Sequence, residues 1–194
     1  MHGWRHAVAS VVILVVLMGS ITLFEGTRVG AYPITYETTF ADVLHEDLTL
    51  DEGNEHGTTF TAADANLTDV AVRLSWSDDE GAPDEVHLRL VAPNGTEWAT
   101  SGSSGRLELT ARAQAVPAAQ TAYAPDARAA ALLVPPPATD PAVVGTWRVV
   151  VHLVAAPGAP GTIGNGVDDV PDGAESFTLH VSSATFEARV GSPA

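Results

Sequence analysis

The chain has 194 residues, a net charge of −15 from 24 acidic and nine basic side chains, and no cysteine. All the basic residues are arginine, and the surplus of carboxylates makes nucleic acid and anionic lipid headgroups poor partners. Without cysteine there are no thiol nucleophiles, thiolate metal sites or disulfides, so an exported fold must be held by burial alone or with bound ions.

Residues 7–24 come first in chain order and decide the compartment, because no charge interrupts them between Arg5 and Glu25. As a helix they would span ~27 Å, close to the ~30 Å hydrocarbon core of a bilayer. Arg5 and the α-amino group precede the segment, which favours a cytoplasmic N-terminus at residues 1–6 and an extracytoplasmic remainder. The alternative is a secretory signal cleaved near Ala31, ahead of Tyr32, which would leave a secreted protein. A signal's apolar region usually runs ~7 to 15 residues, so the longer run here favours a retained single-pass anchor in the cell membrane. Either way residues 32–194 are exported, and they carry seven of the arginines and 23 of the acids, a net of −16. Such a lysine-free, acidic composition fits a GC-rich genome and a saline habitat alike.

Residues 25–36 are expected to be a stalk and residues 37–194 one extracytoplasmic domain. Leu48-Thr49-Leu50 and Thr58-Thr59-Phe60-Thr61 suggest edge strands. Val70, Val72, Leu74 and Trp76 then alternate with smaller or polar residues, placing every large apolar group on one face of a half-buried strand. Val86, Leu88 and Leu90 repeat that pattern, with His87 and Arg89 outward. Asn94-Gly95 signals a hairpin turn, returning through Glu97-Trp98-Ala99. Arg106 to Thr110 alternate again, whereas the Ala- and Pro-rich stretch 111–142 is least legible, with Ala127 to Leu133 open to strand or short helix. Trp147, Val149, Val151 and Leu153 mark a central strand, and residues 155–173 a long loop. Phe177, Leu179 and Val181 point inward at odd positions but Phe186, Ala188 and Val190 are apolar at even ones, which requires a bulge or break near Ser182-Ser183. The expected fold is all-β: an antiparallel sandwich of about seven to nine short strands.

Two stretches, Asp84 to Thr96 with its Leu-x-Leu-x-x-Pro-Asn-Gly-Thr ending and Gly145-Thr146-Trp147-Arg148-Val149, carry a family pattern. Their order resembles the jelly-roll modules of secreted prokaryotic proteins: the P-domain of proprotein convertases and the pre-peptidase C-terminal domains of bacteria and archaea. The resemblance covers about residues 66–181, with the Ala/Pro-rich stretch standing where those modules have an ordered middle. It implies a jelly-roll sandwich with a non-catalytic accessory or binding role.

The chemical motifs fail on their residues. His45-Glu46 lacks the second histidine of a zinc helix because position 49 is Thr, no Gly-x-Ser-x-Gly elbow occurs, and a phosphate loop lacks its lysine. No enzyme activity and no cofactor are therefore expected. Calcium has candidates at Asp168, Asp169 and Asp172 in one acidic loop and at Asp78, Asp79 and Glu80 in another; the competing expectation is that both are solvated. His87, His152 and His180 all face outward and would form a metal site if they met on one sheet face. Asn66 and Asn94 head glycosylation sequons. The function expected is a membrane-anchored extracytoplasmic sandwich acting as a binding or structural component of a cell-surface assembly, with a protein or polysaccharide partner. A secreted accessory module for a hydrolase and a surface filament subunit are the alternatives.

Overall fold

The computed structural model describes residues 29–77, 84–134, 142–156 and 174–193, and the backbone alone at 160–163 and 166–169. Eleven strands and one short helix occupy them: β1 (Gly30–Leu50), β2 (Glu55–Ala62), β3 (Leu67–Trp76), β4 (Glu85–Val91), β5 (Glu97–Gly102), β6 (Arg106–Arg112), β7 (Gln120–Ala124), α1 (Ala127–Leu132), β8 (Gly145–Ala155), β9 (Pro160–Ile163), β10 (Gly166–Asp169) and β11 (Glu175–Val190). The expected all-β sandwich is observed. Among the described residues no helix is long and apolar enough to cross a membrane, and residues 7–24 lie outside them.

The chain forms two compact units. The larger comprises Tyr36–Pro117 and Pro136–Glu187 and holds the sandwich. Its eight long strands pair as one nested hairpin: first with last (β1 and β11), second with seventh (β2 and β8), third with sixth (β3 and β6), fourth with fifth (β4 and β5). Pairing of β3 with β11 and of β4 with β8 then joins these couples into two sheets, β6-β3-β11-β1 and β2-β8-β4-β5. A long hairpin rolled up in this way is jelly-roll-like.

Alternation drives that arrangement. Val70, Val72, Leu74 and Trp76 of β3, Val86, Leu88 and Leu90 of β4, and Trp147, Val149, Val151 and Leu153 of β8 are all buried in one core between the sheets. Strand β8 is central, as expected, between β2 and β4. Its Trp147 is fully buried and stacks on Phe60 at 6.2 Å and on Trp98 at 5.9 Å between ring centroids. The indole Nε1 donates to the Val143 carbonyl at 3.0 Å, so the ring's polar atom is also satisfied.

The two stretches that carry the family resemblance meet in space. Gly95 closes the β4–β5 turn at φ +83°, with Asn94 Oδ1 accepting from the Thr96 amide at 2.9 Å. Gly145, at φ +141°, opens β8 where a Cβ would lie 3.2 Å from that of Pro93, so both conformation and space call for glycine.

Along β11 burial passes from odd to even positions, as the pattern of apolar residues does. Phe177, Leu179 and Val181 are buried and then Ala184 and Phe186, with the register against β3 shifting between Ala184 and Thr185. Thr68 is the residue skipped on β3, and its hydroxyl donates to the Ala184 carbonyl at 3.0 Å.

Other expectations need correction. The stalk assigned to 25–36 ends early, because Gly30 to Tyr36 already belong to the 21-residue β1. Pro33 is accommodated because its ring needs no donor there: its carbonyl accepts from the Gly191 amide at 2.8 Å. The stretch 155–173 contains the antiparallel pair β9 and β10. The described residues hold eleven strands, more than expected, because that pair and β7 carry too few alternating residues to register as pattern. Ala127–Leu132, open between strand and short helix from its sequence, is a helix: Asp126 caps it by accepting from the Ala129 amide at 2.7 Å, and alanines favour it.

The smaller unit comprises residues up to Thr35, Ala118–Pro135 and Ala188–Ala194. In it the start of β1 pairs antiparallel with β7, from Gly30 opposite Ala124 to Ile34 opposite Gln120. Tyr32, Ile34, Ala122, Ala124 and Ala130 are buried, while Val29, Tyr123, Leu132 and Leu133 are exposed.

Because Trp147 fills the centre of the core and anchors two aromatic stacks, Trp147→Ala should destabilise the protein by about 3 to 5 kcal/mol. Denaturant unfolding of the full chain measures it. A loss under about 1 kcal/mol, the worth of an ordinary partly buried contact, would contradict this placement.

Candidate functional site

With the inward positions committed to the core, the outward positions of β6, β3, β11 and β1 form rows running across the strands. Glu108, Arg73 and His180 make one row, and Thr110, Ala71 and Ser182 the next. Arg112, Asp69 and Ala184 make a third. Long side chains of the first row and short ones of the second produce a step, and the step is a groove. Two shallow depressions of about 160 and 220 Å³ share Ala71, Thr110 and Ser182 as their floor. Phe40 of β1, 78% exposed, borders the second.

The groove's walls are charged but paired. Arg73 Nε donates to Glu108 Oε1 at 2.9 Å, and Arg106 donates to the same oxygen. His180 Nε2 lies 3.0 Å from Asp42 Oδ1, and Arg112 Nε lies 3.5 Å from Asp69 Oδ1. The Arg106 hydrogen bond, reinforced by that of Arg73, holds the Glu108 carboxyl below its ordinary value of 4.5. The pairs are solvent-exposed, so each adds little stability; what they establish is a locally balanced surface on a strongly acidic chain.

The outer face of the other sheet is built differently. Arg89 reaches Glu55 at 3.3 Å and Glu97 at 3.6 Å, and Arg148 lies 3.7 Å from Glu55. This network crosses β2, β8, β4 and β5 and sits over Val150, which is buried although its position faces outward. A shallow depression of about 250 Å³ beside it is lined by His87, Arg89, Ala99, Thr100 and Ser101.

The three outward histidines do not meet. His87 and His152 are directly opposed on β4 and β8, with ring centroids 6.1 Å apart. His180 is in the other sheet, beside His45 at 6.1 Å. Strand order separates them, and among the described residues no three His, Asp or Glu side chains are close enough to hold a metal. Asp168 and Asp169 lie on β10, opposite Gly161 and Pro160, with only their backbone described. Asp172, Asp78, Asp79 and Glu80 lie outside the described residues. Asp84 and Glu175, buried carboxyls that sequence reasoning did not single out, flank those two acidic stretches. Of the sequons, Asn94 is exposed in its turn, whereas the Asn66 Oδ1 is shielded from solvent.

No protein-family model and no curated protein matches the chain. Among solved structures it is similar to an Aeromonas sobria serine protease in complex with its chaperone, at 13% identity and a TM-score of 0.36, over 77% of this chain and 27% of that one. It is also similar to a family 11 carbohydrate-binding module from Clostridium thermocellum, solved with a mixed-linked tetrasaccharide, at 6% identity and a TM-score of 0.28, over 81% and 88% of the two chains. A third likeness is to the empty particles of cowpea mosaic virus, at 8% identity and a TM-score of 0.35, over 76% and 44%. The chain thus spans about a quarter of the protease, and these likenesses concern the β fold alone.

Two measurements check the electrostatics. Since Glu108 is held ionised below its ordinary range, the benefit of its pairing is present above pH 4.5 and disappears as pH falls through the lowered value. In an NMR titration of the side-chain carboxyls, Arg106→Ala should move the Glu108 midpoint upward; an unmoved midpoint would contradict the assigned cause. The melting temperature of the full chain should rise in molar sodium or potassium chloride through screening of its net −15 charge, with millimolar calcium and magnesium equivalent. A calcium-selective rise would instead demand a specific site.

Proposed function

We propose that this protein is a membrane-anchored, extracytoplasmic binding module without catalytic activity, part of a cell-surface assembly, which presents the outer face of the β6-β3-β11-β1 sheet to its ligand. The observation that carries this reading is the groove across that face: an open surface with a short-chain floor, charge-paired walls and an exposed aromatic ring. Such shallow, solvent-open depressions suit recognition of an extended ligand better than enclosure of a small one.

Anchoring is supported by the uncharged run 7–24 and by the smaller unit, where Val29, Tyr123, Leu132 and Leu133 expose apolar side chains. Retention, rather than cleavage ahead of Tyr32, is supported by β1 itself. Gly30 and Ala31, on the far side of that cut, already pair with Ala124 and Tyr123.

The topology is tested by alkaline carbonate extraction of membranes from cells expressing the full chain. The protein should stay in the membrane pellet, because an apolar helix is not released by removing electrostatic attraction. Recovery of a soluble form beginning at Tyr32 would contradict anchoring and favour the secreted accessory module.

A further inference from the structure

We infer that the groove on the β6-β3-β11-β1 face binds a neutral linear polysaccharide laid across the strands. This rests on the reading of that face as a binding surface, and goes further by naming the ligand's chemistry.

Direction comes first. The floor residues Thr110, Ala71 and Ser182 occupy the same row on three adjacent strands, so the groove runs perpendicular to them. At ~4.8 Å per strand it extends about 14 Å from β6 to β1, a path suited to a chain and not to a compact molecule. The ladder excludes one kind of chain. An extended peptide that binds a sheet draws its affinity from main-chain pairing at an unpaired edge. The floor strands β3 and β11 have strands on both sides, and a peptide paired to the outer edge of β6, the edge strand among the described residues, would run along that strand and not across the groove. Within the groove only side chains are left to bind.

Those side chains match a ligand whose every unit both donates and accepts hydrogen bonds. The hydroxyls of Thr110 and Ser182 do both, Glu108 and Asp69 accept, and Arg73 donates. Sugar hydroxyls have the same dual capacity. Charge selects within that class: each arginine of the walls already faces a carboxylate, so a polyanion would gain no free cation and a polycation would have to displace arginine. A neutral polymer disturbs neither. At the β1 end, exposed Phe40 offers a flat, electron-rich face to the C–H surface of a sugar ring, which gives a reason for so large an apolar side chain in water.

The test is affinity electrophoresis of the full chain in detergent micelles through gels containing a soluble mixed-linkage β-glucan, a galactomannan or dextran. At least one should retard the protein. Ala71→Leu, which fills the floor, should weaken retardation at least tenfold, and Phe40→Ala should weaken it several-fold. Thr61→Leu, on the exposed face of β2 in the other sheet, should leave it unchanged, with circular dichroism showing all three folded. Retardation insensitive to both groove variants would overturn the inference, as would no retardation by any of the three polymers. A parallel array of neutral and basic decapeptides separates the two levels: peptide binding abolished by Ala71→Leu, without polysaccharide binding, would overturn the ligand class while sparing the groove as a binding site. Binding of neither would overturn both.

Discussion

Trp147 touches no water, and the sandwich depends on that. A chain with no cysteine has no covalent tie between its sheets, so their union relies on side chains interdigitating across the interior. The indole is the largest of the fully buried groups, and with Phe60 and Trp98 it forms an aromatic row across β2, β8 and the β5 edge. On the facing sheet Trp76 and Phe177 make a second contact at 5.8 Å. The nested pairing of the strands serves this packing, because it brings the ends of a long chain together: Thr39 and Thr185, 146 residues apart, approach within 3.4 Å. Closing such loops costs chain entropy before any burial offsets it, so this topology is expected to fold slowly for its size.

The outer faces follow from the inner ones. Once the inward set is buried, register alone decides which outward residues become neighbours, and it lines up opposite charges: Arg73 against Glu108, Arg112 against Asp69. Cross-strand pairs of this kind contribute only tenths of a kcal/mol to about 1 kcal/mol each. Their larger consequence is for the surface field. Five of the nine arginines, Arg73, Arg106, Arg112, Arg89 and Arg148, stand on the two sheet faces beside carboxylates, so a chain of net charge −15 presents two patches close to local balance.

How much was legible before the fold was known depends on period. In β3, β4 and β8 a strict alternation named the buried residues individually, and the reversal along β11 located a register shift to within about two residues. Of β1 only the end, Leu48 to Leu50, was legible; the rest escaped because its sidedness is broken: Val43 and Leu44 are consecutive yet both pack on the core, and Asp42 and His45, of opposite parity, both reach His180. β7 escaped because five residues, two of them buried alanines, carry almost no pattern. The groove was not legible at all. It is a relation between Thr110, Ala71 and Ser182, which are unremarkable in sequence and become a floor only through the register of three strands distant in the chain. The same dependence on strand order parted His180 from His87 and His152.

The central claim, a ligand face on the β6-β3-β11-β1 sheet, is tested most directly by mapping where a polysaccharide touches the protein. Backbone amide chemical shifts of the full chain in micelles, followed as the retarding polymer is titrated in, report every contacted residue at once. The account predicts that the largest changes fall on Ala71, Arg73, Thr110, Ser182 and Phe40, with the outer face of β2, β8, β4 and β5 unmoved. Changes centred instead on His87, Arg89 and Ser101 would place the binding face on the opposite sheet and contradict it.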